Sequence, residues 1–434
     1  MSPTFRSLAV RNYRIYAAGA LVSNIGTWMQ RVAQDWLVLQ LTDNNGTALG
    51  ITTGLQLLPA LLLSPYAGVV ADRFSKRTVL SITQIAMATP AALLGILAIA
   101  GVAMPWHVYV LAFTFGVATA FDAPARQSFV VEMVGQDDLA NAVGLNSASF
   151  NSGRMIGPAV AGVMIAMLGS GATATGWVIL LNALSYLPVL ASLRLLNPRE
   201  LHPSPPAERG KGAVRDGMRY VRSRPDLLLL LATVFFVGTF GMNFQMTSAL
   251  MATEVFHKGA GEYGLLGSIM AVGSLGGALL AARRPRPRQR LLVGSALAFA
   301  VVEIAAGMMP NYVTFAVILP LLGLTALTMV TSANALIQLS VSPQMRGRVS
   351  ALYLMIFLGG TPLGAPFIGW IGEFFGARWT LIAGGLITLI GSLVALALYS
   401  RSTGLVVRPH VGRRFAWEVS TRSELSEAAA GRRP

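Results

Sequence analysis

Ionisable side chains are rare inside the long apolar runs of this 434-residue chain, and the few that occur there are the ones able to do chemistry. Arg31 and Asp35 stand four residues apart in a run that ends at Leu41, so on a helix they share one face. Arg154 sits in the middle of a run over 140–168, and Glu303 in one over 291–309. Asp122 closes a run over 106–125, four residues before Arg126. A charge in the middle of a membrane span costs several kcal/mol, so each of these is a candidate functional group by default. Asp35 would lie about 9 Å from the end of its run at 1.5 Å per residue. Two readings of it stand: a carboxyl that alternately binds a proton and pairs with arginine, or half of a static ion pair with Arg31. Arg154 can neutralise Asp35 across a cavity, bind an anionic substrate, or serve as a structural counter-charge. Glu303 is either a second proton carrier or hydrogen-bonded within its surroundings. Asp122 with Arg126 more naturally braces a helix end. His107, His202, His257 and His410 all fall in loops or at run ends, so a proton relay would have to use carboxylates.

Other chemistries find no footing. With no cysteine, disulfides, thiolate metal sites and cysteine nucleophiles are excluded. There is no H-E-x-x-H, no phosphate-binding P-loop and no G-x-S-x-G. The expectation is a protein that is not an enzyme, with no cofactor and no metal.

The elements that must hold these residues follow from composition. The chain is 54% hydrophobic and only 12% charged, against about 25% charged for soluble domains, and its mean hydropathy is +0.61. A spanning helix needs about 20 apolar residues, and roughly twelve such runs can be drawn. They cover 15–41, 46–71, 78–101, 106–125, 140–168 and 174–196, then 226–254, 261–282, 291–309, 312–338, 347–373 and 377–400. The net charge of +15 does not point to nucleic acid, because the cations gather in alternate loops. Asp72, Arg73, Lys76 and Arg77 are followed by Arg126, by 194–224, by Arg283, Arg284, Arg286, Arg288 and Arg290, and by Arg346 and Arg348. The intervening loops at 42–47, 169–175 and 307–314 carry no cation, and only Lys258 and Arg378 stand against the trend. By the positive-inside rule both termini face the cytoplasm, in a multi-pass protein of the cytoplasmic membrane. The arginines before the first run do not mark a cleaved signal, since that run continues to Leu41 without a small-residue cleavage site.

Four prolines between Pro198 and Pro206, followed by a basic cluster, mark a linker. The expected organisation is a six-helix half over 1–196, a cytoplasmic linker over 197–225, a second six-helix half over 226–401 and a disordered cytoplasmic tail over 402–434. Within the linker, DGMRYVRSRP reads as an amphipathic helix lying on a surface. The halves carry a weak repeat: Arg154–Ala159 (RMIGPA) is similar to Thr361–Pro366 (TPLGAP), each in the fifth run of its half. Duplicated halves with interrupted helices belong to secondary transporters, which bind substrate at the interface. The fold class expected is therefore all-α and polytopic, with twelve spans in two pseudo-symmetric halves.

Two motifs carry a resemblance to a known family. Gly68-VVA-Asp72-Arg73-FS-Lys76-Arg77, after the second run, resembles the G-x3-D-R-x-x-R-R signature of the major facilitator superfamily. The resemblance implies a latch of cytoplasmic helices, supported by Asp122 and Arg126. The matching stretch in the second half, Gly277 to Arg284, lacks the acid. On the fifth run, Gly144, Gly153, Gly157, Pro158 and Gly162 fall in G-x8-G-x3-G-P-x2-A-G, which resembles the antiporter signature of drug–proton exporters, with Ala161 where many members have glycine. The stretch SNIGTWMQRVAQDWLVLQLT resembles the enterobactin-exporter and macrolide-efflux branch. The implied function is proton-coupled export of an amphipathic small molecule such as a drug, siderophore or secondary metabolite, by a monomer in a lipid bilayer. An importer, a uniporter and a non-transporting sensor are the alternatives. Polar side chains on the same runs would line the cavity: Gln34, Asn146, Asn151 and Asn334, with Phe244 among the aromatics.

Overall fold

The computed structural model describes residues 3–135, 138–202, 213–282, 288–403, 405–411 and 415–421. Arg283, Arg284 and Arg286, the prolines from Pro203 to Pro206 and residues 422–434 lie outside them. After a 3-10 turn at Pro3–Ala9 come α1 (Arg11–Leu41), α2 (Gly46–Arg73), α3 (Lys76–Ile99), α4 (Pro105–Val134), α5 (Leu139–Met167) and α6 (Ala172–Leu195). The short α7 (Ala213–Arg222) precedes α8 (Pro225–Phe236), α9 (Phe244–Leu250), α10 (Ala260–Ala282), α11 (Gln289–Gly307), α12 (Tyr312–Ser340), α13 (Pro343–Gly359), α14 (Thr361–Phe375) and α15 (Arg378–Thr403). Beyond α15 a two-stranded antiparallel hairpin pairs β1 (Leu405–Val411) with β2 (Phe415–Thr421).

Ten helical stretches among the described residues are long and apolar enough to cross a membrane. They include Pro225–Val255, which joins α8 to α9, and Gln344–Phe375, which joins α13 to α14. Two more helices have the length, α1 with 31 residues and α5 with 29. Their apolar character is diluted by Asn24, Gln30, Arg31, Gln34 and Asp35 on α1 and by Asn146, Ser147, Ser149 and Asn151 on α5. Gln30, Gln34 and Asp35 are buried against protein.

Three helical elements differ from the sequence reading, and the β1–β2 hairpin falls within the stretch expected to be a disordered tail. α4 runs on to Val134, past the expected end at 125, because Phe129, Val130 and Met133 are wholly buried against Tyr13 and Tyr16 of α1 and Leu80 of α3. The run expected over 226–254 is broken. α8 gives way to a π-turn at Val237–Gly241, and α9 to another at Met251–Val255. The run over 347–373 is divided into α13 and α14 at Gly360. The backbone there keeps helical angles (φ −73°, ψ −36°), but Pro362 has no amide to donate one turn back.

Packing sorts the helices into two sets. α1 packs on α5 and α6, α2 on α4, and α3 on α4 and α6; α10 packs on α12, α11 on α12 and α15, and α8 on α15. Two principal seams join the sets, α2 against α14 and α5 against α10. Both lie toward the cation-poor end, whose described loops hold only Lys258 and, at the start of α15, Arg378. A Cβ on Gly46, at the start of α2, would come within 2.7 Å of the Gly369 carbonyl, and one on Gly162, near the end of α5, within 3.1 Å of the Gly264 Cα. Toward the basic end α5 is tied to its own set, where Ser7 donates to Asn141 and Tyr13 to the Ala142 carbonyl, but its face at Gly144 is open: a Cβ there would meet nothing within 4 Å.

Candidate functional site

The glycine-rich helix α5 does two jobs on two faces. Gly153 lets it approach α1 at Asn24, where a Cβ would come within 2.9 Å of the backbone, and Gly157 lets it approach Trp28, at 2.7 Å from that residue's Cβ. Pro158 and Gly162 instead abut Gly264 and its neighbours on α10. So Gly153 and Gly157 bind α5 to its own set, Pro158 and Gly162 form the seam, and Gly144 packs on neither.

Close contact at Gly157 puts Trp28 at the centre of a small cluster. The Arg31 guanidinium carbon lies over its ring, 4.8 Å from the centroid, and that of Arg154 lies 5.8 Å from the same centroid. Phe150 meets the ring edge-on at 5.6 Å, and Asn24 donates to Ser149 at 3.0 Å. Phe150 and Asn151 are exposed, while Asn146, Arg31 and Arg154 are half-buried. Neither the Arg31–Asp35 ion pair nor the Arg154–Asp35 pairing weighed from the sequence is formed among the described residues. The Arg31 Nε is buried without a hydrogen-bond partner.

Asp35 has a different partner. Its carboxylate accepts a 2.9 Å hydrogen bond from the Tyr263 hydroxyl, which belongs to α10 and hence to the other set. That hydroxyl also lies 3.4 Å from the Gln245 carbonyl. Trp36 stacks on Tyr263 at 6.3 Å and donates to the Ser170 carbonyl, so the Asp35 side chain, 6% exposed, is enclosed at the closed end. Other hydrogen bonds crossing between the sets run from Thr47 to Glu373 and from Ser268 to the Met155 carbonyl. Tyr263 has no counterpart in the sequence reading; no local pattern marks a partner 228 residues away.

Glu303 is 1% exposed on α11 and faces the broken segment between α8 and α9. A Cβ on Gly241 would come within 3.0 Å of its Oε2, and one on Gly384 within 3.3 Å of its Oε1. Its Oε2 has no partner, and neither does the buried Asn243 Oδ1 beside the break. Asn243 spends its amide on the carbonyls of Thr239 and Phe240, freed where the helix opens.

At the basic end, Asp122 gathers three side chains. It accepts from Thr83 at 2.9 Å, from Gln84 at 2.7 Å, and from Arg126. Lys76 pairs with Glu132 at 2.9 Å, both well buried, and Arg77 donates to the Arg194 carbonyl. Asp72 closes α2 and Arg73 is exposed beside it, one turn after Gly68. Glu132 was not anticipated; it is reached because α4 runs on. Of the expected cavity residues, Gln34 is buried, Phe244 is half-buried, Asn151 donates to the Ser147 carbonyl, and Asn334 donates to Tyr353.

The family model described as "transmembrane secretion effector" matches residues 2–405. The chain is 28% identical over 391 residues to the multidrug efflux pump Tap of Mycolicibacterium fortuitum, covering 87% of this chain and 93% of that one. It is 24% identical over 378 residues to the staphyloferrin A transporter of Staphylococcus aureus, covering 85% and 92%. In fold it is similar to the crystal structure of a bacterial homologue of the human lysosomal transporter Spinster, in an inward-facing, occupied conformation. The TM-score is 0.68 at 18% identity, over 90% of this chain and 97% of that one. Helices long enough to span a membrane, broken and glycine-lined at the seams, agree with a match along nearly the whole length: the chain belongs to the transmembrane secretion effector family of the major facilitator superfamily, whose relatives are transporters rather than enzymes.

Proposed function

We propose that this transporter is a proton-coupled exporter of amphipathic small molecules, built of twelve spans in two halves that rock about a central cavity. α1 and α5 supply the two spans whose polar side chains weaken their apolar signal. The observation that carries the reading is the Tyr263–Asp35 hydrogen bond across the closed seam. To open that end, the halves must part there, breaking the bond and admitting water to the carboxyl. Proton exchange at Asp35 and movement of the seam are then one event, which is what coupling requires. Trp28, Phe150, Asn146 and Asn151 lie on the open side, where substrate would enter. The basic loops support a cytoplasmic position for that side and for both termini, with the cytoplasmic membrane as the site of action. Efflux activity in the name of Tap, and siderophore transport in that of the staphyloferrin A transporter, support drug-like or siderophore-like cargo.

In inverted vesicles holding an imposed proton gradient, adding substrate should dissipate the gradient, and Asp35→Asn should abolish this while substrate still binds. Normal flux in Asp35→Asn overturns the assignment of Asp35. Substrate movement with no proton flux in the native protein overturns coupling and leaves a uniporter.

A further inference from the structure

Two guanidiniums share one indole inside the bundle, and neither forms an ion pair with a carboxylate among the described residues. The contrast within the same half is sharp: Arg126 is paired with Asp122 and Lys76 with Glu132. The acid nearest in sequence to Arg31, Asp35, is engaged by Tyr263. Stacking on Trp28 offsets part of the cost of holding these cations at depth. It leaves their in-plane N–H groups unspent, and the Arg31 Nε is buried with no acceptor. A fork of guanidinium donors matches the two oxygens of a carboxylate. The adjoining wall is aromatic and open, since Phe150 is 50% exposed beside Trp28.

We propose that Arg31 and Arg154, on the platform of Trp28 and Phe150, form an anion-recognition site that selects cargo carrying a carboxylate beside a flat apolar body. The carboxylate settles between the two guanidiniums and supplies the directly paired acid that no described residue provides. The apolar body lies against Phe150. This rests on the exporter reading for calling the ligand cargo, but the site itself can be tested without transport.

The test is calorimetric titration of the purified full chain with 2-naphthoate and with its neutral counterpart 2-naphthamide. The acid should bind at least tenfold more tightly than the amide. Arg31→Gln and Arg154→Gln should each weaken the acid tenfold or more while leaving the amide unchanged, which also shows that the variants are folded. Arg31→Lys should keep part of the preference, and Trp28→Leu should weaken both ligands. Equal affinity for acid and amide overturns the proposal. So does no binding of the acid, or acid binding untouched by both glutamine variants. Loss of acid preference with substrate-driven proton flux intact removes this site and leaves the exporter standing. Intact preference without proton flux does the reverse.

Discussion

At the scale of single residues, the closed end depends on a phenol and a carboxylate. A hydrogen bond to a charged group contributes about 1.5–3 kcal/mol, so Tyr263→Phe should shift the closed–open equilibrium roughly tenfold or more toward opening at that seam. The chain has no native cysteine to confuse the readout. A single cysteine at Thr47, beside the seam, should therefore be alkylated correspondingly faster in the Tyr263→Phe background, and an unchanged rate would contradict the role of this contact. Asp122 has a different duty. It is 5% exposed and serves Arg126, Thr83 and Gln84 together, so Asp122→Asn leaves a buried guanidinium without its counter-charge. Removing one partner of such a pair costs about 3–5 kcal/mol. Thermal unfolding should fall markedly in Asp122→Asn and be partly restored by adding Arg126→Gln; a neutral single variant would show that the pair is not structural.

At the scale of elements, the glycines of α2 and α5 separate into three classes by what their missing Cβ would meet, and three substitutions should behave differently. Gly157→Val pushes α5 off Trp28 within its own set, so it should lower the unfolding temperature and disturb the cavity. Gly46→Val wedges α2 from α14 at the Gly369 carbonyl; the fold should survive while the closed end opens. Gly144→Ala meets nothing, and should be neutral or raise stability by about 0.5–1 kcal/mol through helix propensity. Parallel melting curves and alkylation rates on the three variants decide the matter, and identical behaviour in all three would undo the division of labour assigned to these glycines.

At the scale of the whole molecule, the seams are closed at the cation-poor end, while at the basic end the α5 face at Gly144 is open. In resting protein a cysteine at Asn151 should react readily and one at Thr47 slowly. Substrate together with an inward proton gradient should reverse that order, because alternating access couples the two ends in opposite senses. Reactivities that rise and fall together at both ends would contradict a rocking mechanism.

Much of this was legible in the chain itself. Sparse charge, long apolar runs and alternating basic loops specify a helical membrane protein, because a bilayer leaves the backbone few other solutions. The Gly68–Arg77 and Gly144–Gly162 spacings pointed to the superfamily, and Asp122 with Arg126 was readable because partners four residues apart on one helix meet by local geometry. The breaks in two long runs were not legible as such. The sequence shows where helices are weak, as at Gly359 to Pro362, whereas packing decides which of them yields. Asp35 makes the same point at its sharpest. Its membrane depth and its place on a face with Arg31 follow from local spacing, but its partner comes from α10, brought there by helix packing across the seam. Only the tertiary structure could choose Tyr263 as the partner of Asp35, and so leave two arginines on one tryptophan without an ion-paired acid among the described residues.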